Sequence, residues 1–389
     1  MPLNVQENSR PKRSCLLIVG VSARALAQSA RRGGYEVAAI DQFADRDTQK
    51  AAREVRRVPG RGLGFDPELL KQAFGALREQ TSGWVMGSGF EASPEMIEAL
   101  RACSPRSFAF YGNSAKTVAL LKNPEAFSDL LDELGIRHPE TALSPPSSGG
   151  QWLIKRRGGH GGSHVHRFGT TEPAAGLDYF QAKVYGTSLA VAFLADGSKA
   201  RIVGIHELFL AKSGPHPYAF AGALAHVTLD PPLYAELCQC LDALVQRTQL
   251  VGLNGLDLIV NVQGIHVLEI NPRPTATIDL YDIEYPLGLF DAHLKACDGI
   301  LPSEAPRTQT VRGSTVIYCE EPVSVSARTS FPAWCRDIPT LGSRIDPYTP
   351  VCTVLAEGGS REQVRRQLKA RAAYLRKALA RDASIAEAA

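Results

Sequence analysis

The sequence predicts a mixed α/β and α+β protein, with a Rossmann-like N-terminal domain, a larger α+β region and a small C-terminal cap. Three observations predict this class. Residues 14–110 alternate strand and helix patterns, two later strand pairs are joined by tight turns, and the chain beyond residue 301 breaks into short strands and turns. Strands that alternate with helices are typical of a parallel sheet, whereas clustered hairpins are typical of an antiparallel one.

The composition is that of an ordinary soluble protein of two or three domains: 389 residues, 44% hydrophobic and 21% charged. A net charge of +3 is too small to predict nucleic acid or a membrane surface as a partner. The short apolar run at 15–21 is better interpreted as a first strand than as a signal peptide. Eight cysteines, none in a C-x-x-C pair, predict a reduced cytoplasmic protein with buried thiols.

The N-terminal region predicts a βαβ unit, with strands at 15–20, 35–41 and 83–87 and a helix at 24–34. The first turn reads GVSAR at 20–24, which is not the G-x-G-x-x-G of a dinucleotide site. Two interpretations of this turn stay open. It is either a structural turn, or Ser22 and Arg24 hold an anionic substrate group at the helix N-terminus.

Later helices are predicted at 111–136, broken near Asn123-Pro124 and ending at Gly135, and at 231–250, 279–298 and 361–381. The Pro/Ser/Gly-rich run at 143–150 is interpreted as a linker. Short strands are predicted at 311–319 and 350–355.

A glycine-rich loop follows a predicted strand that carries Lys155, in the run WLIKRRGGHGGS at 152–163. Glycine lets backbone N–H groups approach phosphate oxygens, and lysine adds a positive charge. A hairpin or linker would also use glycine, so the loop alone is a weak signal. His160, His164 and His166 lack partner cysteines, which argues against a zinc site.

The most informative stretch is a predicted β-hairpin within residues 253–277, with its turn at 261–264. If Gly264 takes the left-handed position of a three-residue loop, Asp257 lies opposite Glu269. Side chains alternate along a strand, so Glu269 and Asn271 share a face with Asp257. Leu256, Leu258, Leu268 and Ile270 are expected to point into the core.

Two carboxylates and an amide oxygen on one face form a hard ligand set that suits Mg²⁺ or Mn²⁺. Such an ion completes its coordination with water and nucleotide phosphates. The alternative is a solvated hairpin face with a salt bridge between Glu269 and Arg273.

The run EINPR at 269–273, with Asp257 upstream, resembles the metal-binding end of the ATP-grasp superfamily. Segments at 20–35, 87–91 and 337–356 resemble a carboligase-type branch related to biotin carboxylase. This resemblance implies ATP and Mg²⁺ (or Mn²⁺) as cofactors, with Asp257, Glu269 and Asn271 as metal ligands and Arg273 and Lys155 as catalytic residues. It further implies a nucleotide site formed by Lys122, Lys155, Gly158, Gly159, Gly161, Gly162, Gln181, Lys183 and Val184.

The resemblance also implies a domain order: a Rossmann-like domain (14–110), a helical connector (111–142), the two ATP-grasp subdomains (143–212 and 213–302) and a C-terminal α+β cap (303–375). The activity it implies is a carboxylate–amine ligase with small-molecule substrates, and an amino acid such as glutamate in methanofuran-type cofactor synthesis is one candidate. A biotin-carboxylase-like carboxylation and a non-catalytic nucleotide-binding protein compete with it. A homo-oligomer is left open.

Overall fold

The computed structural model describes residues 15–61, 63–146, 151–211, 214–304, 306 and 310–387. Part of the predicted linker, residues 147–150, lies outside the described residues. No helix of the described residues is long and apolar enough to cross a membrane. Cys335 and Cys352 are buried, but Cys103 is exposed, so the prediction of buried thiols is wrong for Cys103.

The N-terminal domain is a parallel five-stranded sheet of order β3-β2-β1-β6-β7, as the alternating pattern predicts. Its elements, with the separate β4–β5 hairpin, are β1 (Leu16–Val19), α1 (Arg24–Arg32), β2 (Val37–Asp41), α2 (Arg46–Ala51), β3 (Glu54–Arg57), β4 (Gly60–Arg61), β5 (Gly64–Phe65), α3 (Pro67–Arg78), β6 (Gly83–Met86), α4 (Glu95–Ala102) and β7 (Ala109–Tyr111). The strand order reverses at β1, so the loops after β1 and β6 lie side by side. The Val21 N–H donates to the Ser88 carbonyl at 3.0 Å.

The helical connector consists of α5 (Ala115–Lys122) and α6 (Pro124–Glu133). The predicted break is present because Asn123 caps α6, accepting the Glu125 and Ala126 N–H groups, and Pro124 occupies the first helical position. The helix begins at Ala115 rather than at residue 111, because Tyr111 still belongs to β7. Lys122 therefore stands at the last residue of α5.

A small antiparallel sheet of order β10-β9-β11-β8 follows. Its strands are β8 (Thr141–Ala142), β9 (Trp152–Arg156), β10 (Val165–Arg167) and β11 (Asp178–Ala182). Lys155 lies on the central strand β9, opposite Tyr179 of β11 and Val165 of β10. The glycine-rich loop connects β9 to β10.

The third unit is an eight-stranded antiparallel sheet of order β16-β15-β12-β13-β14-β17-β21-β19. The remaining elements are β12 (Thr187–Asp196), β13 (Ala200–Leu210), β14 (Phe220–Leu224), α7 (Pro231–Thr248), β15 (Val251–Asn261), β16 (Gly264–Asn271), α8 (Gly288–Cys297), β17 (Val311–Tyr318), β18 (Val323–Ser324), β19 (Cys335–Arg336), β20 (Arg344–Ile345), β21 (Pro350–Gly358) and α9 (Arg361–Glu387). β17 pairs with β14, so the sheet continues past residue 302. The predicted division into domains stays a prediction.

The predicted helix at 279–298 is wrong at its start. Residues Ala276–Leu280 and Asp282–Glu284 form two short 3₁₀ turns, and α8 begins only at Gly288. Pro286 disfavours a helical conformation at Tyr285. Gly288, the first residue of α8, has a φ of 80°, so the chain changes direction there. The last helix is longer than predicted and reaches Glu387.

The large sheet is packed on both faces. One face packs against α5, α6 and α7 through Leu121, Phe127, Leu237, Leu256 and Ile270. The opposite face joins the N-terminal domain in one core with α1 and α8. The mixed α/β class predicted from the sequence is therefore confirmed.

Candidate functional site

The β15–β16 hairpin pairs Asp257 with Glu269, but not through the predicted loop. Asn261 pairs with Gly264 across the two-residue loop Val262-Gln263. A β-bulge then shifts the register between Asp257 and Leu258, because Leu258 pairs with Val267. The expected pairing is present because the bulge supplies the residue that the shorter loop removes.

Because of the bulge, the prediction that Leu268 points into the core is wrong. Val267 is fully buried, whereas Leu268 is only half-buried and lines a cleft instead of the core. Leu256, Leu258 and Ile270 are fully buried as expected.

The three predicted metal ligands lie together at the end of this hairpin. The Asn271 Nδ2 atom lies 3.4 Å from Asp257 Oδ2 and 3.5 Å from Glu269 Oε1. Lys122 reaches them from the end of α5, since its Nζ lies 3.2 Å from Asn271 Oδ1 and 3.5 Å from Glu269 Oε2. The connector helix thus brings an ammonium group to a hairpin that is about 150 residues away in sequence.

The charged side chains of this group shift one another's pKa values. Burial and the neighbouring Glu269 carboxylate raise the pKa of Asp257. Burial also opposes ionisation of Glu269, but the Lys122 and Lys155 ammonium groups outweigh it and lower the pKa of Glu269. Burial lowers the pKa of Lys155, and the Glu269 and Asp257 carboxylates oppose this effect. Lys155 therefore acts on the same two carboxylates as Lys122.

Three of the four glycines in the glycine-rich loop lie where a β-carbon would overlap a neighbouring atom. A β-carbon at Gly158 would lie 2.4 Å from the Ala92 Cα, and one at Gly162 would lie 2.0 Å from the Tyr218 carbonyl oxygen. A β-carbon at Gly159 would lie 2.3 Å from the His164 ring, whereas one at Gly161 would have no atom within 4 Å. Gly158, Gly161 and Gly162 also have positive φ angles, which favour glycine.

The three loop histidines go to separate neighbours. His160 Nε2 lies 3.1 Å from the Leu63 carbonyl oxygen of the β4–β5 hairpin, and His166 packs beside His216. His164 lines the cleft, and burial lowers its pKa to about 4. No group of three or more His, Cys, Asp or Glu side chains with metal-binding geometry occurs among the described residues.

A cleft beside the metal-ligand group is lined by residues of α5, α6, the small antiparallel sheet with its glycine-rich loop, and β16. Five of the predicted site residues line it: Lys122, Gly158, Gly159, Gln181 and Glu269. Residues that the sequence analysis did not assign to the cleft also line it, namely Leu121, Pro124, Phe127, Ser128, Leu131, His138, Thr141, Arg156, His164, Tyr179, Val267 and Leu268. Strand alternation could have found Tyr179, because it shares a face of β11 with Gln181.

Lys183, one of the predicted nucleotide-binding residues, has other contacts. The Lys183 ammonium lies over the Tyr185 ring, 4.6 Å from its centroid, and the Lys183 N–H donates to the Gln151 carbonyl at 2.8 Å. Lys183 and Val184 follow β11 directly, so they continue the strand that carries Gln181 into the cleft. Their role in nucleotide binding stays a prediction.

Arg273 forms an ion pair with Glu91 of the N-terminal domain, and not with Glu269 as in the alternative considered above. Both side chains are largely buried. The second Glu91 oxygen accepts the Gly89 N–H at 2.6 Å. Burial opposes ionisation of Glu91, but Arg273, His160 and Lys122 lower its pKa to about 2. The sequence gives no local signal for this pair, because 182 residues separate its members.

Arg24 is surrounded by carboxylates. Its Nη1 lies 2.6 Å from both Asp279 oxygens, its Nε 2.9 Å from Asp337 and 3.8 Å from Asp47. Burial opposes its charge, but Asp279 and Asp337 raise its pKa. These contacts favour the structural interpretation of the first turn, whereas Ser22 is exposed.

The chemistry of the site fits a magnesium nucleotide. Asp257, Glu269 and Asn271 supply hard oxygen ligands, and Lys122 and Lys155 supply positive charge for phosphates. Arg157 Nε and His164 Nδ1 are buried, and neither has a hydrogen-bond partner among the residues that the structure describes. Buried polar atoms of this kind are costly unless a ligand or water pairs with them.

Residues 125–277 match the family model of the ATP-grasp domain. The chain is 26% identical to the carbamoyl phosphate synthase large chain of Rhodopirellula baltica over 196 residues, which cover 43% of the chain. The chain spans about a fifth of the length of such relatives, 18% in this case and 21% for the same protein of Thermotoga neapolitana.

Two solved structures share the fold over nearly the whole chain. The biotin carboxylase domain of Hydrogenobacter thermophilus 2-oxoglutarate carboxylase, a dimer in complex with MgADP, ADP and bicarbonate, matches with a TM-score of 0.70 at 13% identity, covering 92% of this chain and 89% of that one. The L-amino acid ligase of Bacillus licheniformis matches with a TM-score of 0.68 at 15% identity, covering 93% and 98%. The matched domain holds the glycine-rich loop and the metal-ligand hairpin, so the resemblance found in the sequence is confirmed for this region: residues 125–277 are an ATP-grasp domain, and the chain has a fold related to that of biotin carboxylase.

Proposed function

We propose that the chain is an ATP-dependent carboxylate–amine ligase that uses Mg²⁺ or Mn²⁺. The observation that carries the proposal is the convergence of Asp257, Glu269 and Asn271 with Lys122 beside the cleft, where Lys155 also acts on both carboxylates. Two carboxylates and two ammonium groups at one point match a ligand that carries both a divalent cation and phosphates. The match of residues 125–277 to the ATP-grasp domain supports the same activity.

The lining of the cleft is chemically mixed. Leu121, Phe127 and Leu131 form an apolar part that suits a nucleobase, and Gln181 is among the polar lining groups. Lys122, Gly158, Gly159 and Glu269 also line the cleft and suit phosphates. Lys183 and Val184 are candidates to bind the adenine edge through their backbone.

In the proposed reaction a carboxylate oxygen of the substrate attacks the γ-phosphorus, the bond to the β-phosphate oxygen breaks and ADP leaves. The amine nitrogen then attacks the acyl carbon, phosphate leaves, and the amine proton is lost to solvent. When bound, the metal ion would neutralise phosphate charge at Asp257, Glu269 and Asn271. Lys155 and the loop hold the phosphates in line, and Arg273 stabilises the oxyanion.

Two activities, carboxylation and ligation, have support from the solved structures of similar fold. The fold shared with a biotin carboxylase domain favours a carboxylation as the second candidate, with bicarbonate in place of the amino acid. The fold shared with an amino acid ligase favours ligation. Glutamate with an amine, as in methanofuran-type synthesis, is our candidate substrate pair. The proposal also includes small-molecule substrates and a cytoplasmic location. It covers both a monomer and a homo-oligomer.

The test is a screen of ADP release with Mg-ATP, using each amino acid as the carboxylate and hydroxylamine as the amine. Hydroxylamine converts acyl-phosphates into hydroxamates, which are measured directly. We expect hydroxamate formation that requires both ATP and a particular amino acid. Incorporation of ¹⁴C-bicarbonate without hydroxamate would favour the carboxylase, and ATP binding without turnover under either condition would favour a non-catalytic protein.

A further inference from the structure

The loop after β6 connects the N-terminal domain to both catalytic elements of the proposed site. Glu91 pairs with Arg273 at the end of the metal-ligand hairpin, and the next residue, Ala92, packs against Gly158 of the glycine-rich loop. A β-carbon at Gly158 would overlap Ala92, so the two backbones are in close contact. One loop therefore contacts the residue proposed to stabilise the intermediate and the loop proposed to hold the phosphates.

Glu91 holds one edge of the Arg273 guanidinium. The Glu91 carboxylate accepts from Nε, and the Pro274 carbonyl accepts from Nη1 at 3.2 Å. Among the described residues, Nη2 has no protein partner. The planar guanidinium thus has its orientation fixed by Glu91 while N–H groups remain for an anionic ligand.

Glu91 is itself held rigidly. Its side chain is 2% exposed, and its second oxygen accepts the Gly89 N–H within the same loop. Arg273, His160 and Lys122 keep the carboxylate ionised. A buried carboxylate with this support can fix the direction of a neighbouring arginine without touching the substrate.

We propose that Glu91 is a positioning residue for the ligation reaction, which orients Arg273 toward the acyl-phosphate and its tetrahedral intermediate. The proposal rests on the proposed function of Arg273. It predicts that Glu91 affects the chemical steps more than the binding of nucleotide, because Glu91 contacts neither the metal ligands nor the apolar part of the cleft directly.

The test compares Glu91→Gln with a matched control, Glu284→Gln. Glu284 forms a buried pair with Arg312 at 2.7 Å, and the side chains are 5% and 12% exposed, close to the 2% and 10% of Glu91 and Arg273. We expect Glu91→Gln to lower kcat for hydroxamate formation by about 10²-fold, a loss typical of a displaced oxyanion donor. The KM for ATP and the calorimetric affinity for a non-hydrolysable ATP analogue with Mg²⁺ should change less than about three-fold. Glu284→Gln should keep kcat within about three-fold of the parent.

Glu91→Asp retains the charge but is shorter, so it should recover part of the lost kcat, and it serves as the second variant if Glu91→Gln does not fold. Unchanged kcat in Glu91→Gln, or equal loss of kcat in Glu284→Gln, would overturn the positioning role. Failure of the proposed function is distinguishable, because the parent enzyme itself would then form no hydroxamate.

Discussion

Two buried charge clusters among the described residues, one around Arg24 and one around Glu269, differ in how completely their members are paired. Around Arg24, Asp279 and Asp337 lie within 2.6 to 3.2 Å of the guanidinium, and Asp47 also accepts the Asp337 and Ile338 N–H groups at 2.9 Å. Around Glu269, the contacts of Lys122 and Asn271 are 3.2 to 3.5 Å long.

This difference separates a structural cluster from a binding cluster. In the Arg24 cluster the protein supplies the partners of the charged groups, so the cluster joins α1 to the chain near Asp279 and Asp337. In the Glu269 cluster two ammonium groups and two carboxylates lie close without ideal geometry. A metal ion with phosphates would pair with both signs of charge, which the protein alone leaves incompletely paired.

The largest expected effect is that of Glu269→Gln, which removes one ligand charge from the binding cluster. We expect Mg-dependent ATP turnover to fall by more than about 10³-fold, while the melting temperature stays within a few degrees of the parent. The fold should persist because the like charge next to Asp257 is removed. Turnover at the parent rate would show that the metal assignment is wrong.

Arg24→Ala should have the largest effect on stability. It leaves buried carboxylates without their counter-charge, which typically costs about 3–5 kcal/mol. Chemical denaturation measures this cost. The control is Arg247→Ala, whose half-exposed pair with Glu133 should contribute less than about 1 kcal/mol. Equal stability of the two variants would contradict the structural role of the Arg24 cluster.

Arg273→Lys should slow ligation by about 10²–10³-fold, because lysine replaces a planar fork with a single compact charge. Affinity for a non-hydrolysable ATP analogue, measured by calorimetry, should be nearly unchanged. A parallel loss of nucleotide affinity would assign Arg273 to the nucleotide, and full activity would make it a structural partner of Glu91.

Lys155→Ala should raise the KM for ATP by about ten-fold and lower turnover, because one phosphate contact is lost. Lys183→Ala is the control, since its ammonium lies over the Tyr185 ring and its proposed role uses only the backbone. An unchanged ATP dependence of Lys155→Ala would make the glycine-rich loop a plain surface turn.

The last expected effect is a pH dependence of stability that comes from Asp45, beside the Arg24 cluster. Burial and the neighbouring Asp337, Asp41 and Asp47 carboxylates raise the pKa of Asp45 to about 8. Because the folded-state pKa is higher than the unfolded value of about 4, the stability that Asp45 contributes is present below pH 4 and is lost as the pH rises toward 8. The difference in unfolding free energy between the parent and Asp45→Asn should therefore change over this range. A constant difference would contradict the raised pKa.

Local patterns predicted much of the fold, because strand alternation and helix caps act over a few residues. The parallel N-terminal strands, the break at Asn123-Pro124 and the pairing of Asp257 with Glu269 are present in the structure. The bulge at Leu268 could not be predicted, since a two-residue loop with a bulge and a three-residue loop give the same pairing of Asp257.

Contacts between distant segments could not be read from the sequence. Arg273 and Glu91 are brought together by the packing of the N-terminal domain against the metal-ligand hairpin, and no periodicity encodes that packing. Arg24 likewise meets Asp279 and Asp337, which are 255 and 313 residues away. Lys122 is predicted only from the resemblance to the ATP-grasp pattern. Its contact with Glu269 depends on its position at the end of α5.

The central claim is that the Glu269 cluster binds a magnesium nucleotide. Calorimetric titration of a non-hydrolysable ATP analogue, with Mg²⁺ and with EDTA, tests it most directly in the parent and in Asp257→Asn. We predict binding at least ten-fold tighter with Mg²⁺ in the parent, and loss of this dependence in Asp257→Asn. Equal affinities with and without Mg²⁺ in the parent, or an unchanged metal dependence in Asp257→Asn, would contradict the claim.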